Sequence, residues 1–236
     1  MNDASFLMSI NQAIEVCKDC KVYKGQRSSD AARKVVMPVI TSISDYSKYV
    51  NDLQMKGEYD ILLQDDSMFQ FEKGKKEIIE NKRKVKYDYY RYCFIQSPTH
   101  RMSFQEYCQG VEESEISTNE EYYREMYEHD NDMVNNNFPF YLGYDVDYKG
   151  YTINSHSYAH LHIGFQEGYR MPVSIILTPK AFVCMTLKLV YSDAWRNEIV
   201  THSNIKERVY TALKSQCLHE KNPFWAIEET KDIYLG

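Results

Sequence analysis

Residues 85–95 read VKYDYYRYCFI, a run in which β-branched and aromatic residues dominate. Alternate positions along this run give two faces, both rich in apolar side chains: Val85, Tyr87, Tyr89, Cys93 and Ile95 on one, and Tyr90, Tyr92 and Phe94 on the other. Residues of these types suit a pleated surface that packs against other parts of the chain. The stretch therefore predicts a strand in the interior of a sheet, covered on both sides.

Further strand-like segments lie on either side of this run. Polar intervals of turn length separate several of them, which is typical of antiparallel hairpins. We predict strands over residues 59–63, 68–71, 140–146, 159–165 and 169–177. Residues 73–86 mix many lysines with glutamates, which favours a solvated face.

Amphipathic segments that predict helices lie mainly outside the strands. We place helices over residues 5–20, about 46–57, 104–109, 118–135, 178–195 and 203–217. Thr178-Pro179 is a strong helix start, because the threonine hydroxyl can cap free N–H groups and proline fixes the first helical φ. Thr118 and Glu121 have the spacing of a capping box.

Strands in the centre with helices around them predict an α+β fold. We expect a mainly antiparallel sheet of about five to seven strands with helices packed on it, including N- and C-terminal helices. Residues 1–236 are predicted to form one domain. Within it, the stretch from about 97 to 137 is helical and acidic and has too few apolar residues for its own core, so we interpret it as an insertion.

Composition excludes several classes of protein. Hydrophobic residues make up 43% and charged residues 26%, close to globular averages, which argues against disorder and against a coiled coil. The net charge of −6 disfavours a protein whose whole surface coats nucleic acid. No apolar run has the length of a membrane span, and the start MNDASFLMSINQ lacks the pattern of a signal peptide. We therefore expect a cytoplasmic protein without membrane contact.

The candidate catalytic or metal-binding motif is His160-Leu161-His162, which lies inside a predicted strand. Because alternate side chains of a strand share a face, the two imidazoles should point the same way, about 6–7 Å apart. That spacing suits one metal ion or one phosphate. The alternative is that both rings satisfy buried polar contacts in a tyrosine-rich sheet, since His-x-His alone is a weak signal.

Whether Arg170 joins the histidines depends on the turn before it. A three-residue loop at 166–168 would pair Phe165 with Tyr169 and Gly164 with Arg170, placing the guanidinium on the histidine face. A two-residue loop would turn it to the opposite face. In the first arrangement, Gly164 would leave open space for a ligand above the sheet.

Two chemical routes are compatible with this set. His160 and His162 can act as general acid and base with Arg170 stabilising charge, without a metal. Alternatively, the two histidines can hold a divalent metal ion with a carboxylate from Asp145 or Asp147 on the neighbouring strand. Both routes lead to phosphodiester chemistry. Candidate substrate-binding residues are Tyr144, Asp145 and Arg91.

Several segments together resemble a family of bacterial proteins known only as a domain of unknown function. The resemblance is carried by Tyr59-Asp60, Phe69-Gln70-Phe71, Tyr90-Arg91-Tyr92, Tyr141-Leu142-Gly143-Tyr144-Asp145, His160-Leu161-His162-Ile163-Gly164, Arg170-Met171-Pro172-Val173, Thr178-Pro179 and Tyr191 with Trp195. It spans residues 59 to 195 and implies a bacterial origin and a common fold, but no activity. The His-x-His strand is also similar to one in small toxins of toxin–antitoxin pairs.

From these observations we expect a toxin or phage-defence-type protein that binds or cuts nucleic acid. Two alternatives stay open. The chain could be a non-enzymatic accessory subunit that binds a protein encoded nearby, because its 21 tyrosines suit interfaces. It could also bind a nucleotide signal through the histidine and arginine face. The sequence leaves open whether the protein is an enzyme, and whether a nucleic-acid substrate is RNA or DNA.

Overall fold

The computed structural model has the predicted α+β architecture, built on a seven-stranded antiparallel sheet. It describes residues 1–27, 35, 42–80, 83–101, 104–130, 133–135, 139–164, 170–217, 221–231 and 233–235. Within the described residues, no helix is both long enough and apolar enough to cross a bilayer.

The strands are β1 (Tyr23–Gln26), β2 (Ile61–Leu63), β3 (Met68–Glu80), β4 (Arg83–Ile95), β5 (Thr99–Arg101), β6 (Met133–Asn135), β7 (Tyr141–Val146), β8 (Ala159–Ile163) and β9 (Arg170–Pro172). The large sheet has the order β1-β2-β3-β4-β7-β8-β9, and β5 pairs separately with β6. The described residues between β4 and β7, which include β5 and β6, lie outside the large sheet.

The helices are α1 (Asp3–Asp19), α2 (Ile43–Lys56), α3 (Phe104–Tyr107), α4 (Glu113–Thr118), α5 (Glu120–His129), α6 (Pro179–Val190), α7 (Ser192–Ala194) and α8 (Ser203–Cys217). A π-helical turn (Trp195–Val200) follows α7, and a 3₁₀ helix (Ile227–Lys231) lies near the C-terminus. As predicted, Thr178 caps α6 by accepting a hydrogen bond from the Ala181 N–H.

The sheet is covered on two sides. On what we call the α6 face, Tyr92 packs against Phe6 of α1 and Phe182 of α6, with ring centroids 6.1 and 5.8 Å apart. On the opposite side, the α2 face, Cys93 and Tyr141 belong to a buried cluster that includes residues of α2. Successive residues of β4 and β7 alternate between these two faces. The prediction of an inner strand covered on both sides is confirmed for this part of β4.

β3 and β4 continue as a long two-stranded ribbon through residues 73–80 and 83–86, where the described side chains are exposed or half-buried, as expected for a solvated face. Two predictions of local structure were wrong. The predicted helix over 118–135 ends at His129, and Asn119 rather than Thr118 precedes it, without a side-chain cap. β9 ends at Pro172, so the strand predicted over 169–177 is short.

Candidate metal centre

Three neighbouring strands bring the candidate residues together on the α2 face. In the β7–β8 ladder Asp145 lies opposite His160, and Gly143 lies opposite His162. In the β8–β9 ladder His162 lies opposite Arg170. Because positions directly across a ladder share a face, the four polar side chains converge on one region.

The sequence of β7 leaves space for the second histidine. A Cβ atom added at Gly143 would lie 3.4 Å from Cβ of His162 and 3.2 Å from the ring of Tyr141. A larger residue would therefore press on both neighbours. The glycine is one reason why His162 packs close to the sheet.

The nitrogen atoms of the two imidazoles face each other. Nε2 of His160 lies 2.9 Å from Nε2 of His162, and the ring centroids are 4.6 Å apart. Oδ2 of Asp145 lies 3.5 Å from Nε2 of His162. Taken together, one ligand atom from each of the three residues lies within 4.8 Å of the other two.

Hydrogen bonding fixes the protonation of His160. Its Nδ1 lies 2.6 Å from the carbonyl oxygen of Ser157, so Nδ1 carries the proton and donates it. Burial, and then the charge of nearby His162, lower the pKa of His160 to about 4. The neutral ring therefore directs the lone pair of Nε2 towards His162 and Asp145.

Asp145 is charged and oriented by Arg91. Nε of Arg91 donates to Oδ1 of Asp145 at 2.8 Å. Burial raises the pKa of this carboxyl, but the hydrogen bond with His162 and the charge of Arg91 outweigh it and lower the pKa to about 2. Since Oδ1 accepts from Arg91, Oδ2 is the oxygen directed to the histidines.

Two further groups hold Arg91 in place. Its Nη1 donates to the carbonyl oxygen of Val35 at 3.2 Å, and the Val35 N–H donates to Oε2 of Glu72 at 2.7 Å. Glu72 is buried and also accepts from the Tyr89 hydroxyl at 2.6 Å. This supporting layer restricts the rotamer of Arg91 and, through it, that of Asp145.

The distances fit a single first-row metal ion. Nitrogen and oxygen ligands about 2.0–2.2 Å from an ion are separated by about 2.9 Å at right angles and about 3.4 Å at the tetrahedral angle. The observed 2.9 and 3.5 Å are close to these two values. His160 also has the second-sphere partner that a metal-binding imidazole uses, because its Nδ1–H donates to a carbonyl. Two of the three ligand pairs are therefore spaced for one ion, and the third pair, His160 with Asp145, lies within 4.8 Å.

One expectation about access was wrong. Only 1% of His160 and 4% of His162 is exposed, whereas an open patch above the sheet was expected. Arg170 is half-buried and belongs to β9, at the edge of the sheet. The end of β9 is itself covered by the C-terminal segment, since the Leu235 N–H donates to the carbonyl oxygen of Pro172 at 2.9 Å.

The register of Arg170 also differs from the prediction. It pairs with His162 rather than with Gly164, a shift of two residues that keeps the guanidinium on the histidine face. The predicted pairing of Phe165 with Tyr169, and the loop at 166–168, lie outside the described residues.

Two candidate residues do not join the cluster. Tyr144 projects to the α6 face, where its hydroxyl accepts from the Leu177 N–H at 3.0 Å, because neighbouring residues of a strand alternate in direction. A role in the same site as His160 is therefore ruled out for Tyr144. Asp147 follows the end of β7 and forms an ion pair with Lys76, and its Oδ1 accepts from the Tyr87 hydroxyl at 2.9 Å.

His156 and Glu72 were not recognised as site residues from the sequence. The ring of His156 packs edge-on against that of His160, with centroids 5.0 Å apart. Burial, followed by the charges of Arg170 and His162, lowers the pKa of His156. The closeness of His156 to the His-x-His motif was the available signal, whereas nothing local distinguishes Glu72 from the charged residues after it.

Comparison with known proteins places the chain in a family without assigning an activity. A family model described as an uncharacterized conserved protein, DUF2290, matches residues 12–227. The comparison with curated proteins found no match, and neither did the comparison with solved structures. The resemblance to an uncharacterised family is therefore confirmed. Because the match covers most of its length, the chain belongs to the DUF2290 family of uncharacterized conserved proteins.

Proposed function

We propose that this protein is a metal-dependent phosphodiesterase that cleaves nucleic acid, with Asp145, His160 and His162 as the metal ligands. The observation that carries the proposal is the convergence of three ligand atoms within 4.8 Å. Two imidazoles and one carboxylate form a donor set that suits zinc and similar divalent ions. Three protein ligands leave further positions for water and substrate, as in catalytic sites.

Phosphoryl chemistry is favoured by the cations around these ligands. Arg170 faces His162 across the β8–β9 ladder and is half-buried. A guanidinium there can stabilise the charge that develops on a phosphoryl group during attack. Arg91 is committed to Asp145, so we assign it to positioning rather than to substrate binding.

The metal-free route has less support. A general acid needs a pKa near the working pH, and that of His160 is lowered to about 4 by burial. Its Nδ1 proton is already donated to Ser157, and its Nε2 points at His162 rather than into solvent. A metal ion binds a neutral imidazole, and His160 is already in that protonation state.

The reaction is a hydrolysis that balances without a further reactant. A metal ion held by Asp145, His160 and His162 would lower the pKa of its water to about 7 and so supply hydroxide near neutral pH. Hydroxide would add to phosphorus, the bond to one ester oxygen would break, and that oxygen would take up a proton from water. The products are a phosphomonoester and an alcohol, while Arg170 neutralises charge on the phosphoryl oxygens.

The burial of both imidazoles favours a second candidate function, a protein that binds a nucleotide signal without hydrolysing it. A polymer has little access to rings that are 1% and 4% exposed, whereas a single nucleotide needs less space at the site. The two candidate functions use the same residues, but only the first of them hydrolyses its ligand. Nucleotide binding without product formation would favour the second.

The biological setting stays a proposal as well. A toxin or defence protein whose activity depends on this site should slow growth when expressed, and variants of the site should relieve that effect. A protein partner encoded nearby, as proposed from the sequence, would then act as an inhibitor or an accessory subunit.

Hydrolysis of bis(4-nitrophenyl) phosphate and of labelled RNA and DNA oligonucleotides tests the proposal. Activity should require a divalent metal, disappear with a chelator and return on addition of Zn²⁺ or Mn²⁺. His160→Ala, His162→Ala and Asp145→Asn should each lower the rate by about 100-fold or more. His202→Ala is the matched control, because this exposed histidine lies outside the cluster. Full activity in the ligand variants would refute the proposal.

A further inference from the structure

Two buried nitrogen atoms beside the candidate metal centre have no hydrogen-bond partner. They are Nδ1 of His162 and Nε of Arg170. An unpaired buried polar atom costs about 1–3 kcal/mol, so native proteins seldom leave one and very seldom leave two together. Here both atoms belong to residues that lie directly opposite each other in the β8–β9 ladder.

We infer that His162 Nδ1 and Arg170 Nε bind an oxygen atom of a phosphate group. The inference rests on the proposed function in one respect: a metal ion on Nε2 of His162 requires the ring proton to be on Nδ1. With that proton in place, both orphan atoms are N–H donors. Two donors on directly opposed residues, one of them a cationic guanidinium, can form an oxyanion site.

No residue that the structure describes accepts a hydrogen bond from this donor pair. A metal-binding histidine almost always donates its second N–H to a carboxylate, a carbonyl or water. His160 follows this rule through Ser157, whereas His162 has no acceptor among the residues that the structure describes. The missing acceptor is then an oxygen of the ligand.

Charge favours phosphate as the chemical class. Arg170 is a half-buried cation in β9, directly opposite His162, so it favours an anionic ligand. Asp145 is the acidic neighbour of His162, but its Oδ1 is already paired with Arg91. A phosphodiester has two non-bridging oxygens, so one can contact the metal while the other accepts from the donor pair. This arrangement would make Arg170 and His162 the residues that orient the scissile phosphate.

Binding of inorganic phosphate, followed by thermal shift and by ³¹P line broadening, tests the inference. The measurement is made on metal-loaded and on chelator-treated protein, with acetate as a comparison anion. Phosphate should raise the melting temperature more than acetate does. Arg170→Gln should weaken the phosphate effect by about tenfold or more, and Arg170→Lys, which keeps the charge but lacks Nε, by a smaller factor. Arg196→Gln is the control, because the Arg196 side chain is 70% exposed.

The outcomes separate this inference from the proposed function. No phosphate effect in the unaltered protein, or an equal effect in Arg170→Gln, would overturn the inference. Phosphate binding that depends on the metal but not on Arg170 would also overturn the inference, while leaving the proposed metal centre in place. Phosphate binding that depends on Arg170 in a protein that never takes up metal would keep the oxyanion site and refute the proposed function.

Discussion

Nδ1 of His160 lies 2.6 Å from the carbonyl oxygen of Ser157, three residues earlier in the chain. This contact determines which nitrogen of the buried ring carries the proton, and it leaves the lone pair of Nε2 directed at His162 and Asp145. A neutral buried imidazole has two consequences. It can bind a metal without losing a proton, and it resists protonation in acid.

Stability should therefore fall as the pH drops from 6.5 towards 4. The pKa of His160 is about 4 in the folded chain against an ordinary value of 6.5, so the unfolded chain binds more protons in that window. The loss should approach about 3 kcal/mol. Asp145, with a pKa of about 2 against 3.8, adds a further loss only below about pH 4.

Urea unfolding of chelator-treated protein at several pH values checks this prediction. His160→Gln should flatten the dependence between pH 6.5 and 4 and leave the steeper loss below pH 4. His202→Gln, at an exposed histidine, should keep the unaltered profile. An unaltered protein with constant stability between pH 6.5 and 4 would contradict the account.

Removal of the Arg91 side chain should destabilise the protein through Asp145. Arg91→Gln leaves a carboxylate that is only 12% exposed without its ion-pair partner, at an expected cost of about 2 kcal/mol. In an Asp145→Asn background the same change should cost less than half as much. Arg196→Gln, which breaks the exposed pair with Asp193, should change stability by less than about 0.5 kcal/mol. Equal costs of Arg91→Gln in both backgrounds would show that the two side chains are not coupled.

The ribbon formed by β3 and β4 depends on a close approach at Gly74. A Cβ atom there would lie 2.4 Å from the ring of Tyr89, whose hydroxyl donates to Glu72. Gly74→Ala should therefore destabilise the protein by about 1–3 kcal/mol, and most of that cost should vanish in a Tyr89→Ala background. Gly25→Ala is the control, since nothing lies within 4 Å of the added atom. Denaturant unfolding measures both variants. Equal losses of unfolding free energy in Gly74→Ala and Gly25→Ala would contradict this close packing.

The sequence predicted the fold where hydrophobic periodicity is strong. The inner part of β4, β7, α1 and the capped start of α6 are local patterns, so their positions could be derived from single segments. β1 was missed because Lys24, Gly25 and Gln26 have little strand preference and are held by pairing with β2. Pairing between distant segments is the kind of information that a local pattern does not contain.

The sequence predicted which residues form the candidate site, but not how deeply they are buried. Strand alternation correctly brought His160, His162 and Arg170 to one face, and the same rule would have excluded Tyr144 had its strand position been applied. Burial could not be predicted, because it depends on what packs over the sheet. Val35 and Glu72 are held by hydrogen bonds between segments that are far apart in sequence, so no local signal marks them.

The metal content of the purified protein, measured by inductively coupled plasma mass spectrometry, tests the central claim most directly. We predict about one equivalent of a first-row divalent ion, removed by a chelator, restored by Zn²⁺ or Mn²⁺, and absent from His160→Ala, His162→Ala and Asp145→Asn. His202→Ala should keep the full content. A folded, unaltered protein that neither contains nor takes up a stoichiometric ion would contradict the account.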